Sequence, residues 1–294
     1  LGAAERMLTP AHKLVAFGHV SNVLGSVLDA PRAAALAHNV GAMLRVSGES
    51  TTGAATPTFG GGVSNAGNIE FTTSTTGYNL QMTVSGGALT NLPTGTITSL
   101  VGTGGTRTIT GPIDNQGTIA LPADLSVTGV DAAHVNSGTI TMTTGDLTVT
   151  MTGTTPSFTN TGTIAVAGRT FTVTGGSLDL LGGVVTGYTG RLVTTGTPTV
   201  RFAVPTVQPR VTFSATTVLP DPFTVPAGDS LRILGGTFAP PSLTNNGLLV
   251  LEGAPTITSA VTTGTGSTIR VRGSSAGGGP TATFTNPLTN AAAI

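Results

Sequence analysis

Three charged residues have spacings that could align them as acid and base groups. Each follows a glycine at a similar distance: Asp124 is seven residues after Gly117, Asp146 eight after Gly138, and Arg169 seven after Gly162. A glycan-cleaving enzyme needs one carboxyl group as acid and a second as base or nucleophile, so the spacing could form a polysaccharide lyase or hydrolase site. The chain has no Trp and only two Tyr to stack on sugars. We therefore expect solvated turn residues and no enzyme activity, and Asp124→Asn or Asp146→Asn would test the alternative.

Other catalytic and metal-binding patterns are missing from the sequence. The four histidines are His12, His19, His38 and His134, and the chain has no cysteine. The first three lack a partner at helical i, i+4 spacing, and His134 stands alone beside a turn motif. The glycine triplets at 60–62 and 277–279 precede no Lys-Ser/Thr pair, so neither is a phosphate loop. The sequence predicts no catalytic residue, no metal site and no cofactor.

Threonine runs suggest another chemistry. Alternating threonines occur at 106–110, 139–143 and 148–152. Alternate strand residues point to one face, so each run would form a row of hydroxyl and methyl groups, as in ice-binding β-solenoids. The rows do not keep one offset in every repeat. We expect mainly a solvated outer face, with ice binding as a minor alternative.

Composition narrows the class of protein and of partner. Only 8% of the 294 residues are charged, 12 basic residues balance 12 acidic ones, and 43 residues are Gly. The neutral balance removes the electrostatic attraction that nucleic acid would need, and the sequence has no run of Lys or Arg from which a basic patch could be read, so we expect no nucleic-acid partner. There is no apolar stretch near 20 residues, which predicts no membrane insertion. The chain begins at Leu1 rather than Met, which suggests a processed product or a fragment.

The elements that must position these residues differ on the two sides of residue 50. Of 58 threonines, 57 follow Gly48. Before that point, Thr9-Pro10 resembles a helix start, and apolar residues at helical spacing predict a helix from Pro10 to Leu28. We interpret residues 1–37 as a helical cap or assembly segment, and residues 38–294 as a separate β domain.

A short motif repeats through the β domain. It pairs an Asn with a Gly two residues later and then a strand. Its clearest copies are Asn65/Gly67, Asn115/Gly117, Asn136/Gly138, Asn160/Gly162 and Asn245/Gly247. Weaker copies extend the series to a period of about 19 to 28 residues, with one marker missing near Pro209.

This period with strands instead of helices predicts an all-β parallel solenoid of about ten coils. Asn and Gly suit sharp corners because both tolerate left-handed backbone angles, and stacked Asn side chains could form an amide ladder. Val, Ile and Leu would fill the interior, and Thr would cover the outside.

The Asn-x-Gly-Thr-Ile copies at 115–119, 136–140 and 160–164 resemble those of right-handed extracellular β-solenoids. Examples are autotransporter passengers and filamentous-haemagglutinin-type adhesins. The resemblance covers about residues 39–294. It implies a secreted or surface-displayed structural or adhesive protein, and it supplies no catalytic residue.

The ends of such a solenoid suggest how it would act. Open strand edges add further strands unless a cap or charges protect them, and a head-to-tail contact between copies does not close, so it gives filaments. We predict a self-assembling extracellular filament, tube or sheath whose partner is another copy of the chain. The predicted assembly residues are Leu14, Phe17, Val20, Leu24, Phe284, Leu288 and Ile294. An adhesin or passenger fragment that binds a host surface or glycan is the alternative, and a carbohydrate-active enzyme is a minor one.

Overall fold

In the computed structural model, the described part of the chain is a parallel β-solenoid of about ten coils with no helix. The predicted fold class is therefore confirmed. The structure describes residues 43–48, 53–73, 77–187, 189–202, 210–273 and 281–290. The predicted helical cap, residues 1–37, lies outside these ranges. Two compact units, residues 1–147 and 148–294, divide the chain.

The described strands of the first unit are short, mostly of three to six residues. In chain order they are β1 Met43–Gly48, β2 Thr58–Phe59, β3 Val63–Asn65, β4 Asn68–Thr73, β5 Leu80–Val84, β6 Leu89–Asn91, β7 Thr96–Ser99, β8 Arg107–Thr110, β9 Ile113–Asn115, β10 Thr118–Leu121, β11 Leu125–Val130, β12 Ala133–Asn136 and β13 Thr139–Met142.

The strands of the second unit are equally short, and the first of them, β14, begins at Leu147, the last residue of the first unit. Its described strands are β14 Leu147–Thr152, β15 Ser157–Asn160, β16 Thr163–Ala165, β17 Thr170–Thr174, β18 Ser177–Asp179, β19 Val184–Thr186, β20 Arg191–Thr195, β21 Thr199–Arg201, β22 Arg210–Phe213, β23 Thr216–Val218, β24 Phe223–Val225, β25 Ser230–Ile233, β26 Thr237–Ala239, β27 Leu243–Asn245, β28 Leu248–Glu252, β29 Thr256–Ile257, β30 Val261–Thr263, β31 Thr268–Arg272, β32 Thr283–Phe284 and β33 Leu288–Asn290.

Every third strand of the first unit joins the same parallel sheet. The first sheet runs β1-β4-β7-β10-β13, the second β2-β5-β8-β11 and the third β3-β6-β9-β12. One coil therefore contributes one strand to each sheet, and the three faces enclose a narrow interior. The chain returns to the same register after each coil, so equivalent residues form columns across the strands.

The second unit keeps this plan but changes one face. Strands β14-β17-β20-β22-β25-β28-β31 form one series and β15-β18-β21-β23-β26-β29-β32 another. A four-stranded sheet, β24-β27-β30-β33, supplies the third face of its later coils. The coil whose marker is missing near residue 209 is present, because Arg191 and Arg210 are register partners.

Strict alternation builds the core. Most inward positions carry apolar residues, and many outward positions carry threonine or charged residues, which is the pattern of a strand buried on one face. In the first sheet, Ile69, Ile97, Ile119 and Ile140 stack in register and are all less than 5% exposed. Such β-branched columns fill the interior together with buried phenylalanine rings, among them Phe71, Phe171 and Phe213.

Candidate functional site

A ladder of buried asparagine side chains runs through the third sheet of the first unit. Asn65 Nδ2 donates to Asn91 Oδ1 at 2.7 Å, Asn91 Nδ2 to Asn115 Oδ1 at 2.7 Å, and Asn115 Nδ2 to Asn136 Oδ1 at 2.6 Å. All four are 0% exposed. Each amide also reaches corner backbone, as Asn115 Nδ2 does to Thr139 O. The ladder therefore satisfies polar groups that the interior would otherwise leave unpaired.

Asn91 belongs to this ladder although its sequence hides it. The motif there has a longer turn, with Gly95 four residues after the Asn instead of two. Its side chain still donates to Gly95 O. The strand register identifies Asn91 as a ladder residue although its local sequence departs from the motif, because Asn65, Asn91 and Asn115 are direct register partners.

The two remaining predicted asparagines, Asn160 and Asn245, lie in the second unit. Asn160 is buried, and its Nδ2 donates to Gly162 O at 3.2 Å. Asn245 lies at the end of β27, at the corner between the four-stranded sheet and β28. Its register partners are Val225 and Thr263, so it joins no asparagine ladder. One sequence motif thus serves two different corners of the coil.

The corner glycines do not use the left-handed backbone angles that glycine tolerates. Left-handed angles do occur at many glycines of the described ranges, but at none of the five predicted corner glycines and at none of the corner asparagines. These five glycines are Gly67, Gly117, Gly138, Gly162 and Gly247. Tolerance of left-handed angles therefore does not explain the use of glycine at these corners.

Close approach between coils explains three of these glycines instead. A Cβ on Gly117 would clash with Gly95 O, one on Gly138 with Gly117 O, and one on Gly247 with Pro226 O. The coils stack too tightly at these corners for any side chain, so the sequence needs glycine for space rather than for its backbone freedom.

Gly67, the first of the predicted corner glycines, makes its contribution through its backbone groups. It lies in the turn between β3 and β4 and is only partly buried, unlike the Asn65 side chain that precedes it. Its N–H donates to Asn65 Oδ1 at 3.3 Å, and its carbonyl oxygen accepts from the backbone N–H of Thr96 at 2.8 Å. Gly67 therefore links the asparagine ladder to the start of β7 on the next coil.

Asp124 and Asp146, two of the acid and base candidates, are joined by a hydrogen bond between a side chain and the backbone. Asp124 Oδ1 accepts a hydrogen bond from the backbone N–H of Asp146 at 2.8 Å. One carboxylate therefore holds the turn of the next coil, which is a common use of Asp in turns. Arg169 lies in the second unit. The predicted assembly residues are also partly placed: Phe284 and Leu288 are on the last described coil, and the other five lie outside the described residues.

Two buried titratable side chains went unnoticed as core residues in the sequence. Arg107 points inward, 6% exposed, with Leu80 as its register partner, and its Nη1 donates to Gly105 O at 3.2 Å. Burial lowers the pKa of Arg107, and the Asp124 carboxylate opposes that shift. His134 is 1% exposed, and neither ring nitrogen has a partner. Burial lowers the pKa of His134 to about 4.

Threonine columns cover several faces. The second sheet of the first unit stacks Thr58, Thr83, Thr110 and Thr128, and its first sheet stacks Thr96, Thr118 and Thr139. In the second unit, one column is Thr216, Thr237, Thr256 and Thr283, and another is Thr224, Thr244, Thr262 and Thr289. The runs 106–110 and 139–143 lie on different sheets, so threonine does not single out one flat binding face.

The charges are not scattered singly, as the sequence had suggested. Arg191, Arg210 and Arg232 fall in one column on successive coils of the second unit, since Arg191 pairs with Arg210 and Val211 with Ile233. The fold therefore brings together arginines that are single in the sequence. The coil period, which aligns residues 19 to 22 positions apart, is what collects them.

Elsewhere the described ion pairs are exposed. Arg45 and Glu70 lie 2.8 Å apart, and Arg201 lies 2.9 Å from Asp221 and 3.6 Å from Asp179. Within the described ranges, no three His, Cys, Asp or Glu residues group as metal ligands. The same ranges contain no helix long and apolar enough to cross a membrane.

Comparisons with known proteins touch only the N-terminal segment. A family model for class-V aminotransferases matches residues 1–56, about a fifth of the chain. The match covers the predicted helical cap and overlaps the described solenoid at β1, which pairs in register with β4. It leaves most of the coils unmatched, so it does not place the chain in that family. Neither the curated proteins nor the solved structures gave a match.

Proposed function

We propose that this protein is a non-enzymatic, extracellular structural solenoid that assembles head to tail with copies of itself. The observation that carries the proposal is the exposure of inward apolar side chains on the last described coil, β31 to β33. Val271 is 44% exposed, whereas its register partner one coil earlier, Leu251, is 0% exposed. Leu288 is 48% exposed against 1% for Val261.

This coil offers both components of a stacking interface. Its inward apolar positions continue the columns of the core, so a further coil would bury them as the earlier coils are buried. Its outer strand edges carry backbone N–H and C=O groups of the kind that pair with another strand. A second copy could satisfy both with the geometry already used between coils. The proposal rests on these residues and not on residues 1–37.

Sedimentation velocity of the full chain tests this directly. The interface variant is Val271→Glu with Leu288→Glu, which places charges on the exposed core positions. The control is Val218→Glu, a residue of similar exposure, 46%, that lies on β23 and not on the last coil. We expect large, concentration-dependent species for the natural sequence and for the control, and monomers for the interface variant. Monomers in all three, at concentrations of tens of micromolar, would contradict the proposal.

A surface adhesin that binds a host structure or glycan is the second candidate. Long in-register rows of outward hydroxyl groups favour it, because they present the same hydrogen-bonding group at every coil. An adhesin would remain monomeric in the sedimentation experiment and would bind a ligand along its faces. The two candidates therefore separate in one measurement.

A further inference from the structure

One face of the second unit concentrates positive charge. Its outward column reads Arg191, Arg210, Arg232, Val250 and Arg270 along strands β20, β22, β25, β28 and β31. Arg272 stands beside the column, in register with Glu252. Strands in a sheet are about 4.8 Å apart, so Arg191 and Arg270 lie about 19 Å apart along the face. We use the name arginine column for the four arginines of this column together with the adjacent Arg272.

The column is only partly neutralised. Glu252 is the one acidic residue at an outward position of these five strands. It is 7% exposed and lies 3.6 Å from Arg210 Nη1 and 3.9 Å from Arg232 Nη1. Arg210 Nε is buried without a hydrogen-bond partner. Within the described ranges, Arg191, Arg270 and Arg272 have no ion pair and are exposed. The face therefore keeps an excess of about four positive charges.

Repeating arginines suit a repeating anion. Guanidinium groups bind carboxylate or sulfate through two parallel hydrogen bonds and stay charged at every physiological pH. A compact anion would reach one end of the column, whereas an extended polymer with regular negative groups could reach the exposed arginines at both ends, Arg191 at one and Arg270 with Arg272 at the other. The neighbouring outward hydroxyl of Thr268 is exposed and can accept or donate hydrogen bonds to sugar hydroxyls.

Nucleic acid fits this face less well. Single strands bind mainly by stacking bases on aromatic side chains beside a basic groove. None of the outward positions on β20, β22, β25, β28 and β31 is aromatic. We propose that the arginine column binds a linear anionic polysaccharide carrying carboxylate or sulfate groups, laid along the coils.

The inference goes beyond self-assembly and can fail separately from it. The test measures binding of the full chain to three polymers at 0.05 to 0.3 M salt: polygalacturonate, dextran sulfate and uncharged dextran. Oligo-dT serves as the nucleic-acid probe. We expect at least one anionic polysaccharide to bind, with an affinity that falls steeply with salt, and dextran to bind negligibly. The preferred polymer then distinguishes carboxylate from sulfate recognition.

Variants locate the binding on the column. Arg191→Gln with Arg270→Gln changes two exposed arginines without ion pairs and leaves buried Glu252 its partners. Removing one contact between an arginine and an anionic group lowers the slope of log affinity against log salt concentration by about one. We therefore expect on the order of a tenfold loss of affinity per arginine at 0.1 M salt. The matched control is Arg201→Gln on β21, whose guanidinium already pairs with Asp179 and Asp221. It should bind as the natural sequence does.

Four outcomes would overturn the inference. These are no binding of either anionic polysaccharide, equal binding of dextran, tighter binding of oligo-dT, or an affinity that the double variant leaves unchanged. The face could instead contact another copy, because residues 148–294 contain seven arginines against four acidic residues, whereas residues 1–147 contain five basic and eight acidic residues. Loss of self-association in the double variant, with polysaccharide binding retained, would assign the column to that contact.

Discussion

At the scale of single residues, the interior depends on a few polar side chains whose partners are fixed. Asn115 is the clearest case, since it accepts from Asn91, donates to Asn136 and also donates to Thr139 O. An apolar replacement of similar size would fill the space but leave the neighbouring amides without those bonds. Unpaired buried polar groups cost about 1–3 kcal/mol each.

We therefore expect Asn115→Leu to lower the free energy of unfolding by about 2–4 kcal/mol. Urea denaturation followed by circular dichroism measures it. The control is Thr98→Ala, an outward residue whose register partner in the next coil is Ala120. It should change stability by less than about 0.5 kcal/mol. Equal effects of the two substitutions would show that the ladder adds nothing to stability.

His134 makes stability depend on pH. Its register position lies next to Ile113, because Val135 pairs with Asp114, so a charged imidazole there would sit in an apolar column. The pKa is about 4 in the folded protein and about 6.5 in the unfolded chain. Between these values only the unfolded chain binds the proton, so stability falls as pH decreases from about 6.5 towards 4.

The size of the effect follows from the shift. At pH 5 the natural sequence should be roughly 2 kcal/mol less stable than at pH 7.5 through this histidine alone. His134→Leu should remove that part of the pH dependence, measured as the difference between the two proteins' melting curves at both pH values. Ile113→Val is the control, and it should shift both curves equally. An identical pH dependence in the natural sequence and His134→Leu would refute the assignment.

At the scale of elements, the corners decide how closely coils can stack. A Cβ on Gly117 would meet backbone oxygens of Gly95 and Leu92, and backbone cannot move aside as a flexible side chain can. Gly60 has no atom within 4 Å of an added Cβ and no left-handed angle. The two glycines therefore differ in packing although both lie in turns.

Gly117→Ala should cost several kcal/mol, on the scale of overpacked cores or worse. Gly60→Ala should be neutral or slightly stabilising, by up to about 0.5 kcal/mol, because alanine restricts the unfolded chain. Thermal unfolding of both variants measures the contrast. If Gly117→Ala melts at the same temperature as Gly60→Ala, close approach does not explain the corner glycines.

The sequence predicted that the chain forms the short strands of a solenoid, but it did not predict which corner of a coil each motif occupies. Asn and Gly markers at 115–117, 136–138 and 160–162 were sufficient for a solenoid, because the period and the alternation are local properties. The assignment of a marker to a corner is not local. Asn245 carries the same motif as Asn115 but closes another corner, and Asn91 lies in the ladder with a longer turn.

The arginine column shows the same limit. Arg191, Arg210 and Arg232 stand alone in the sequence, each among uncharged neighbours. Only the coil lengths, which vary along the chain, determine that they share a face. The burial of Arg107 and His134 could not be predicted from the sequence either, because nothing in their local sequence marks an inward position as polar.

At the scale of the whole molecule, the proposed head-to-tail assembly depends on the last described coil. Its inward positions, Val271 and Leu288, are about half exposed where equivalent residues one coil earlier are buried. The class-V aminotransferase match at residues 1–56 concerns a different part of the chain. The structural proposal and the arginine column both concern the second unit.

Electron microscopy of the purified protein at neutral pH shows whether copies of the chain assemble into fibres. We predict long, regular fibres or tubes for the natural sequence, and their absence for Val271→Glu with Leu288→Glu. Dispersed, unassembled particles of the natural sequence, at concentrations where the control Val218→Glu is also folded, would contradict the structural-subunit account and favour the adhesin.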